Sequence, residues 1–314
     1  MEKKGYIMKI STSTHQIFQL YGMEEGMKMF AEAGFEAIDY GMFHLPWNGD
    51  FFTKASETEF AKYFRHVGKT AKNCGIEVYQ CHSPFPLKVF SDEKDPGMLK
   101  CAIRSIYAAG YMDCPNIIIH PAMHPSFIYG RNIEECRRSN LEFYGAMVPA
   151  LKETGVTMCV ENMFATDPET GKHIHTTCSK VEQMIDFIDT LNDMHGPYFA
   201  ACLDTGHAMI SGTGCTHMLK ELGHRNRTLH IHDNNGLTDM HQAPGRGKIN
   251  WKQFAEALGE VRYTGTFNFE ADTFYAEYAN KNIYNKAVMQ AACTMLCAIG
   301  RSLADIAEGK DIAE

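Results

Sequence analysis

The stretch Arg227–Trp251, RTLHIHDNNGLTDMHQAPGRGKINW, holds the densest run of chemically active side chains in the chain. It begins with a β-branched and apolar run, Thr228–Ile231, and ends in a glycine- and proline-containing turn. Three imidazoles and two carboxylates lie between these limits, namely His230, His232, Asp233, Asp239 and His241. Such a density at the end of a strand is typical of a divalent-cation site. A solvated polar loop is the alternative, and the rest of the chain distinguishes the two.

Apolar, β-branched runs alternate with amphipathic segments along the whole sequence, as parallel strands alternate with helices. The runs predict strands at Ile7–Thr12, Ala37–Tyr40, Glu77–His82, Asn116–His120, Thr157–Asn162, Phe199–Asp204, Thr228–Asp233 and Thr266–Asp272. The amphipathic segments predict helices at Glu24–Ala33, Glu57–Cys74, Gly97–Met112, Ile133–Glu153, Ser179–Met194, His217–Gly223, Trp251–Val261 and Ile283–Ala307. No proline- or serine-rich linker or charge block divides the sequence, so residues 1–314 are expected to form one domain.

Eight strand–helix units of about 37 residues each match the size of a (β/α)8 TIM barrel. A doubly wound open sheet is the competing α/β architecture. That fold usually has a glycine-rich nucleotide-binding turn after its first strand. Residues Ser11–His15, at the end of the first predicted strand and just after it, contain no glycine. The sequence therefore favours the barrel.

The strands of such a barrel present their carboxyl ends at one face, where active sites form. Seven of the eight predicted strands place an ionisable residue there: Asp39, His82, His120, Glu161, Asp204, His230 and Glu270. The period-2 alternation of a strand puts Asn268, Glu270 and Asp272 on one face, which we assign to the lumen. The same alternation puts the small residues Cys159, Cys202 and Thr228 directly below, as a floor.

Four of these residues come from four consecutive strands and make an oxygen-rich ligand set: Glu161, Asp204, His230 and Glu270. Three carboxylates and one imidazole suit a borderline-hard dication. Mn²⁺ is the first expectation, with Co²⁺, Mg²⁺ and Zn²⁺ as alternatives. A salt-bridged rim position would explain one such glutamate, but not four ligands on adjacent strands.

Seven short motifs spread this pattern over nearly the whole chain: His82-Ser-Pro, Ile119-His120-Pro121, Val160-Glu161-Asn162, Leu203-Asp204-Thr-Gly-His207, Leu229-His230-Ile-His-Asp233, Pro244-Gly-Arg-Gly247 and Phe269-Glu270. With them the sequence resembles the sugar phosphate isomerase/epimerase family of the xylose isomerase-like TIM barrel superfamily. Its relatives include ketose 3-epimerases, inositol-catabolism enzymes and endonuclease IV. The motifs are specific for the superfamily and weak for any one member. The metal ligands that the resemblance implies coincide with the four residues chosen above.

The resemblance also implies roles for other residues. His207 is expected to act in catalysis by steadying a substrate oxygen, and His82, His120 and His232 are expected to bind substrate. In endonuclease IV the residues equivalent to His207, His82 and His120 are additional zinc ligands. Asp239-Met-His241 is similar to the Asp-x-His pair of that enzyme's third zinc, which makes a second metal site one expectation for these two residues. The same pair recurs in the sugar enzymes, so it does not separate the two activities. The alternative for His241 is a loop histidine that holds the Pro-Gly turn.

Arg246 departs from the family pattern, since this turn often carries an acidic or amide residue at that position. A cation after the seventh strand is expected to meet a substrate phosphate or carboxylate, unless it is a solvated turn residue. The aromatic residues Phe43, Trp47 and Phe85 are candidates for an apolar wall, or for packing. His15 and His124 are weaker candidates at the rim.

The expected reaction is isomerisation or epimerisation of a sugar or keto-sugar through a metal-bound enediolate, with Glu161 and Glu270 as acid and base. A lyase or dehydratase that expels a β-substituent from the same intermediate is the alternative. That class includes keto-cyclitol dehydration and 3-keto-glycoside cleavage. An endonuclease IV-like DNA hydrolase and a catalytically silent binding barrel are further alternatives.

The bulk composition limits partners and compartment. A net charge of −8 and a pI near 6.0 argue against a nucleic-acid-binding surface. Neither a signal peptide nor a membrane span is expected, because Met1–Tyr6 is polar and charged and no apolar run approaches about 20 residues. The 11 scattered cysteines are typical of reduced thiols in a cytoplasmic protein. The expected partner is a small carbohydrate substrate, and a homo-oligomer is left open.

Overall fold

The computed structural model of the protein describes residues 7–122, 133–167 and 169–310. Its main sheet has eight strands, all hydrogen-bonded in parallel. They are β1 Ile10–Ser13, β2 Ala37–Gly41, β3 Glu77–His82, β4 Asn116–Ile119, β5 Thr157–Glu161, β6 Phe199–Asp204, β7 Asn226–His230 and β8 Phe267–Phe269. A bridge between Ile231 and Phe269 closes the sheet between β7 and β8. The predicted (β/α)8 barrel is confirmed.

Helices follow the strands around the outside of the barrel. They are α1 His15–Tyr21, α2 Met23–Ala33, α3 Asp50–Thr53, α4 Glu57–Asn73, α5 Asp95–Tyr111, α6 Ile133–Gly145, α7 Val148–Thr154, α8 Val181–His195, α9 Thr205–Ile210, α10 Cys215–Leu222, α11 Trp251–Glu260, α12 Asp272–Ala276 and α13 Lys286–Ala307. Local sequence explains their limits. A capping box between Ser56 and Glu59 starts α4, and the left-handed Gly34 and Gly155 end α2 and α7.

The boundaries correct the sequence prediction in three places. The helix expected over Ile133–Glu153 is two helices, because Pro149 has no N–H to continue the first and lies in the first turn of the second instead. The four short helices α1, α3, α9 and α12 were not predicted, since four to seven residues are too few to show helical periodicity. A two-stranded hairpin, Ala165–Thr166 with His173–Ile174, is also additional and follows β5.

The last helix, α13, is long and apolar enough to cross a membrane by length and composition, which the sequence reasoning did not anticipate. A core helix of a globular protein meets the same criteria. In this structure α13 lies against the barrel, and Gly300 permits the close approach. A Cβ there would lie 2.7 Å from Phe269 and 2.8 Å from Ile10. Its buried face includes Met289 and Leu296.

Side chains of β4 alternate across the barrel wall. Ile117 and Ile119 belong to the main core between barrel and helices, whereas Ile118 belongs to a separate buried cluster with Cys159, Ala200 and Cys202. This small cluster fills the lumen beneath the ends of β4, β5 and β6. All eleven cysteines lie in the described residues, and none of them forms a disulfide. The next inward-facing positions on the strands form the site described below.

Candidate metal centre

Four strand ends converge at the carboxyl-terminal mouth of the barrel. Glu161, Asp204 and His230 are the last residues of β5, β6 and β7, and Glu270 follows β8 directly. One ligand atom from each lies within 4.8 Å of one from every other. All four side chains are buried, and Glu270, at 8%, is the most exposed residue of the four. The structure therefore brings together the four metal ligands that the sequence predicts.

Two buried atoms of this cluster have no hydrogen-bond partner, namely Glu161 Oε2 and His230 Nδ1. They lie 3.3 Å apart, and His230 Nδ1 is 3.4 Å from Glu270 Oε2. Buried polar atoms without partners are rare in folded proteins and call for a ligand or an ion. The donor set of three carboxylates and one imidazole fits a divalent cation.

Hydrogen bonds of the backbone around Asp204 hold this ligand in place. The Asn162 side chain accepts from the Asp204 backbone N–H at 2.7 Å and donates to the Asp204 carbonyl at 2.9 Å, which ties the ends of β5 and β6 together. Asp204 also caps α9, since its Oδ1 accepts from the His207 N–H at 2.6 Å. The carboxylate is thus oriented by the helix that follows it.

A second group of ligand-type side chains surrounds Asp239. Its carboxylate lies 3.0 Å from His241 Nε2, 3.4 Å from His207 Nε2 and 3.6 Å from His232 Nε2. His241 adopts a left-handed φ of 43°, a strained conformation that often marks functional positions. Its Nδ1 donates to the Glu270 carbonyl at 2.9 Å. The loop after β7 is therefore tied to the end of β8.

His232 is fully buried behind Asp204 instead of lining the cavity. Its Nε2 is 3.1 Å from both Asp204 carboxylate oxygens, and its ring stacks on His241 with centroids 4.2 Å apart. Gly206 makes room for it, because a Cβ at that position would lie 1.9 Å from His232 Cε1. The His232 side chain, predicted to bind substrate, thus lies outside the lining of the cavity in this structure. The imidazole instead orients Asp204.

His82 and His120 form a pair beside Glu161. Their Nε2 atoms are 2.9 Å apart, so one ring donates to the other. Glu161 Oε2 lies 3.5 Å from His82 and 3.1 Å from His120. Both histidines line the cavity, as substrate-binding groups must.

The two glutamates have different electrostatic environments. Burial pushes the pKa of Glu161 upward, but the neighbouring His230 and His120 outweigh it and hold the pKa well below its usual range. Burial raises the pKa of Glu270 above its usual value. Burial opposes ionisation of His241 as well, yet its hydrogen bond to Asp239 and the charge of Glu270 raise its pKa to about 10. Metal binding must displace protons from such a cluster.

A cavity of about 730 Å³ lies over the cluster. Three aromatic rings line it, each against a histidine: Phe43 is 4.7 Å from His82, Phe85 is 5.1 Å from His120, and Phe164 is 5.1 Å from His207. Glu161, His207, Asp239, His241 and Glu270 line the same cavity. A ligand there would meet polar groups at the bottom and apolar rings at the sides, as is usual in small-molecule sites.

The remaining predicted positions are only partly in the lining of the cavity. The Arg246 guanidinium is paired with Glu277 and lies 5.0 Å from the centre of the Phe274 ring, outside the lining of the cavity. Trp47 packs against Gly97 of α5. His15 does line the cavity, whereas His124 lies outside the described residues.

Asp233, within the stretch that first indicated a metal, has a structural role. Its carboxylate accepts from the backbone N–H groups of Gly245, Gly247 and Ile249 and from Trp251 Nε1, at 2.8 to 3.2 Å. It therefore holds the turn after β7. Phe164 and Asp272 are cavity residues that the sequence reasoning missed or assigned no role. Phe164 lies just before the unpredicted hairpin, so periodicity carried no signal for it.

The sequence matches the family described as xylose isomerase-like TIM barrel over residues 27–292. The chain belongs to this family. A relative in it, an uncharacterised protein of Methanocaldococcus jannaschii, is 26% identical over 187 residues, or 59% of this chain and 57% of that protein. The D-psicose 3-epimerase of Enterocloster bolteae is 31% identical over 93 residues, or 30% of this chain and 27% of the enzyme. The chain thus matches little more than half the length of the first relative.

Solved structures of the same fold span nearly the whole chain. The IolI protein with a bound zinc atom superposes with a TM-score of 0.70 at 16% identity, covering 95% of this chain and 98% of its own. D-psicose 3-epimerase of Clostridium cellulolyticum H10, solved with D-tagatose, gives 0.68 at 15% identity, covering 95% and 99%. At these identities the likeness shows the shared fold.

Proposed function

We propose that this protein is a divalent-metal-dependent isomerase or epimerase of a sugar or keto-sugar. The observation that carries the proposal is the buried convergence of Glu161, Asp204, His230 and Glu270 beneath a cavity of about 730 Å³. Neighbours of the same fold bear the names of sugar epimerases, including a D-tagatose 3-epimerase-like protein and an L-ribulose 3-epimerase. The substrate class we infer is a small carbohydrate.

Mn²⁺ is the cation we expect in the centre, with Co²⁺, Mg²⁺ or Zn²⁺ as alternatives, because the ligand set is rich in oxygen. When bound, such a cation supplies Lewis acidity to a sugar carbonyl and its neighbouring hydroxyl. The chain provides the rest of the chemistry. Its four ligands fix the position of the cation, and the residues above them orient the substrate.

Glu161 and Glu270 are the proposed acid and base. One removes the proton from the carbon next to the carbonyl, and the other returns a proton to the opposite face or to the adjacent carbon. They reach the centre from β5 and β8, and each has a carboxylate oxygen within 3.4 Å of His230 Nδ1. Groups whose environments push their pKa values apart suit opposite roles.

Three histidines are proposed to hold the substrate oxygens. His207 donates through Nδ1 to the Asn162 carbonyl at 2.9 Å, which leaves Nε2 directed toward Asp239 and the cavity. We place His207 among the catalytic residues because of this fixed orientation beside the reacting atoms. His82 and His120 bind neighbouring hydroxyls from the other side of Glu161.

Asp239 and His241 are proposed as ligands of a second cation. Asp239 Oδ2 and His241 Nε2 lie 3.0 Å apart, and His207 and His232 lie beside them. Several donor atoms therefore face one point. Asp204 lies between this group and the main centre, since His232 and His207 both contact it. Such a cation would be bound more weakly, because Asp239 is about one quarter exposed.

A lyase acting on a keto-glycoside or keto-cyclitol is the second candidate. It needs the same proton abstraction and, in addition, an acid near the leaving group. Asp272 lines the cavity and accepts from Ser13 Oγ at 2.7 Å, and it lies outside the ligand cluster. A carboxyl in that place could protonate a departing oxygen. The product of the reaction distinguishes the two candidates.

The experiment is a screen in D₂O of ketoses and keto-glycosides with the Mn²⁺-loaded protein, followed by proton NMR. We expect one substrate C–H signal to disappear, and the product then identifies an epimerase, an isomerase or a lyase. Asp204→Asn is the inactive control. Abasic duplex DNA is the counter-substrate, and we expect no nicking, since 38 acidic residues outnumber 30 basic ones. Nicking that Asp204→Asn abolishes would overturn the proposal, as would the absence of exchange with every sugar.

A further inference from the structure

We propose that Asp39 is the positioning residue of the metal centre: it holds the His230 imidazole through Nε2, so that Nδ1 is presented to the cation. The inference rests on the proposed metal centre but concerns a residue that lies outside the ligand set. Asp39 belongs to β2, and His230 ends β7, which is not a neighbour of β2 in the sheet. The contact between them therefore crosses the lumen.

The contact joins two buried groups. His230 Nε2 lies 3.1 Å from Asp39 Oδ2, and the residues are 0% and 2% exposed. A carboxylate oxygen only accepts hydrogen bonds, so the proton of a neutral imidazole must lie on Nε2. That leaves the Nδ1 lone pair free. This atom is the one that has no hydrogen-bond partner and faces Glu161 and Glu270 at 3.3 and 3.4 Å.

Two amides hold Asp39 for this purpose. Gln80 Nε2 and Asn268 Nδ2 donate to the same oxygen, Oδ2, at 2.9 and 3.3 Å. Both amides also donate to the carbonyl of Leu229, at 3.3 and 3.2 Å. Leu229 directly precedes His230. The amides therefore tie the carboxylate to the backbone of the very histidine that it orients.

A purely structural role does not account for this arrangement. Three donors converge on Oδ2, while Asp39 Oδ1 is buried without a partner. A half-satisfied buried carboxylate destabilises a fold, and apolar side chains of the same size are often better for stability. A carboxylate that orients a ligating histidine, in contrast, fixes its tautomer and makes it a stronger ligand. The geometry fits the second role.

The experiment compares Asp39→Asn with Asp233→Asn, measuring the dissociation constant of Mn²⁺ and the visible absorption spectrum of the Co²⁺-loaded protein. Asp233 is the matched control, because it is buried like Asp39 (0% against 2% exposed), accepts several hydrogen bonds and lies close to His230 in sequence, but makes no hydrogen bond to it. We expect Asp39→Asn to weaken Mn²⁺ binding by about 10- to 100-fold and to shift the Co²⁺ bands. Asp233→Asn should lower the melting temperature and leave both metal readouts near wild type. Wild-type metal binding by Asp39→Asn would overturn the inference.

A measurement on the unmodified protein covers the case in which Asp39→Asn does not fold. The Zn²⁺-loaded protein is prepared with ¹⁵N-labelled histidine and studied by NMR. His230 should carry its proton on Nε2 and bind the metal through Nδ1. The reverse tautomer would overturn the inference. A protein that binds Mn²⁺ through this tautomer but exchanges no sugar proton would instead overturn the proposed function and leave the role of Asp39 standing.

Discussion

Two layers of the barrel lumen, one strand repeat apart, differ sharply in chemistry. The upper layer, at the strand ends, consists of Glu161, Asp204, His230 and Glu270. The lower layer is formed by the residues two positions earlier on the same strands: Cys159, Cys202, Thr228 and Asn268. Both layers are buried, yet only the upper one is charged. The charged side chains lie at the mouth where the parallel strands end, because a cation bound there can neutralise them.

A third region, the apolar layer between barrel and helices, contains most of the buried apolar side chains. Its side chains point outward from the same strands and pack on the helices, as do Ile117, Met158 and Phe267. Function and stability therefore depend on opposite faces of the same strands. Changes in the upper lumen should remove activity and spare the fold, and changes in the outer layer should do the reverse.

Removal of the cation should have the largest effect on activity. Chelator-treated protein is expected to exchange no substrate proton, because three buried carboxylates without a cation cannot hold a sugar carbonyl in place. Mn²⁺ or Co²⁺ should restore activity best, as measured by proton exchange in D₂O after elemental analysis of the stripped protein. Full activity in protein shown to be free of metal would contradict the account.

Substitution of either glutamate should come next. Glu161→Gln and Glu270→Gln should each lower kcat by at least about 10²- to 10⁴-fold, the usual contribution of a general acid or base. Circular dichroism should show an unchanged fold. The matched control is Cys159→Ala, one layer below Glu161 on the same strand, which should keep near-wild-type kcat. Near-wild-type kcat in either glutamine variant, or loss of activity in Cys159→Ala, would show that the two lumen layers do not differ in function.

The outer layer should respond in stability alone. Phe64 of α4 is 0% exposed and packs on Phe60 and Tyr40, with ring centroids 4.8 and 6.2 Å away. We expect Phe64→Ala to lower the free energy of unfolding by about 3–5 kcal/mol. Urea denaturation measures this, and Mn²⁺ affinity of the folded protein should remain that of wild type. A change in metal affinity would show that the outer layer and the site are coupled.

The rim should give the smallest effect. Phe85 is 54% exposed at the cavity mouth, with its ring 5.4 Å from Phe43 and 5.1 Å from His120. Phe85→Ala should cost about 0.5–1.5 kcal/mol of substrate binding, seen as a KM a few-fold higher at unchanged kcat. Met194→Ala, at a residue 59% exposed on α8, is the control and should change neither constant. An unchanged KM in Phe85→Ala would remove the aromatic rim from the proposed substrate site.

The sequence was sufficient to predict the barrel and the convergence of the four candidate ligands, because both follow from short-range rules. Strand period fixes which residues face the lumen, and parallel strands bring Glu161 and Glu270 to one mouth although 109 positions separate them. Contacts across the lumen follow no such rule. Asp39 was recognised as a strand-end acid, but its distance from His230 depends on the barrel's closure.

Loop residues were the harder part for a similar reason. His232 lies two residues beyond the end of β7 and was expected to bind substrate, yet Gly206 lets its ring lie behind Asp204. Arg246 was expected near an anionic substrate, but Glu277, far away in sequence, pairs with it. No local sequence pattern indicates where the His232 ring or the Arg246 side chain lies.

The most direct test of the central claim is anomalous X-ray scattering from crystals of the protein grown with Mn²⁺, recorded on both sides of the manganese edge. We expect a strong peak in the upper lumen, about 2.0–2.3 Å from oxygen atoms of Glu161, Asp204 and Glu270 and from His230 Nδ1. A weaker second peak beside Asp239 and His241 would fit the proposed second cation. An upper lumen without manganese, or a peak confined to the Asp239 group, would contradict the central claim.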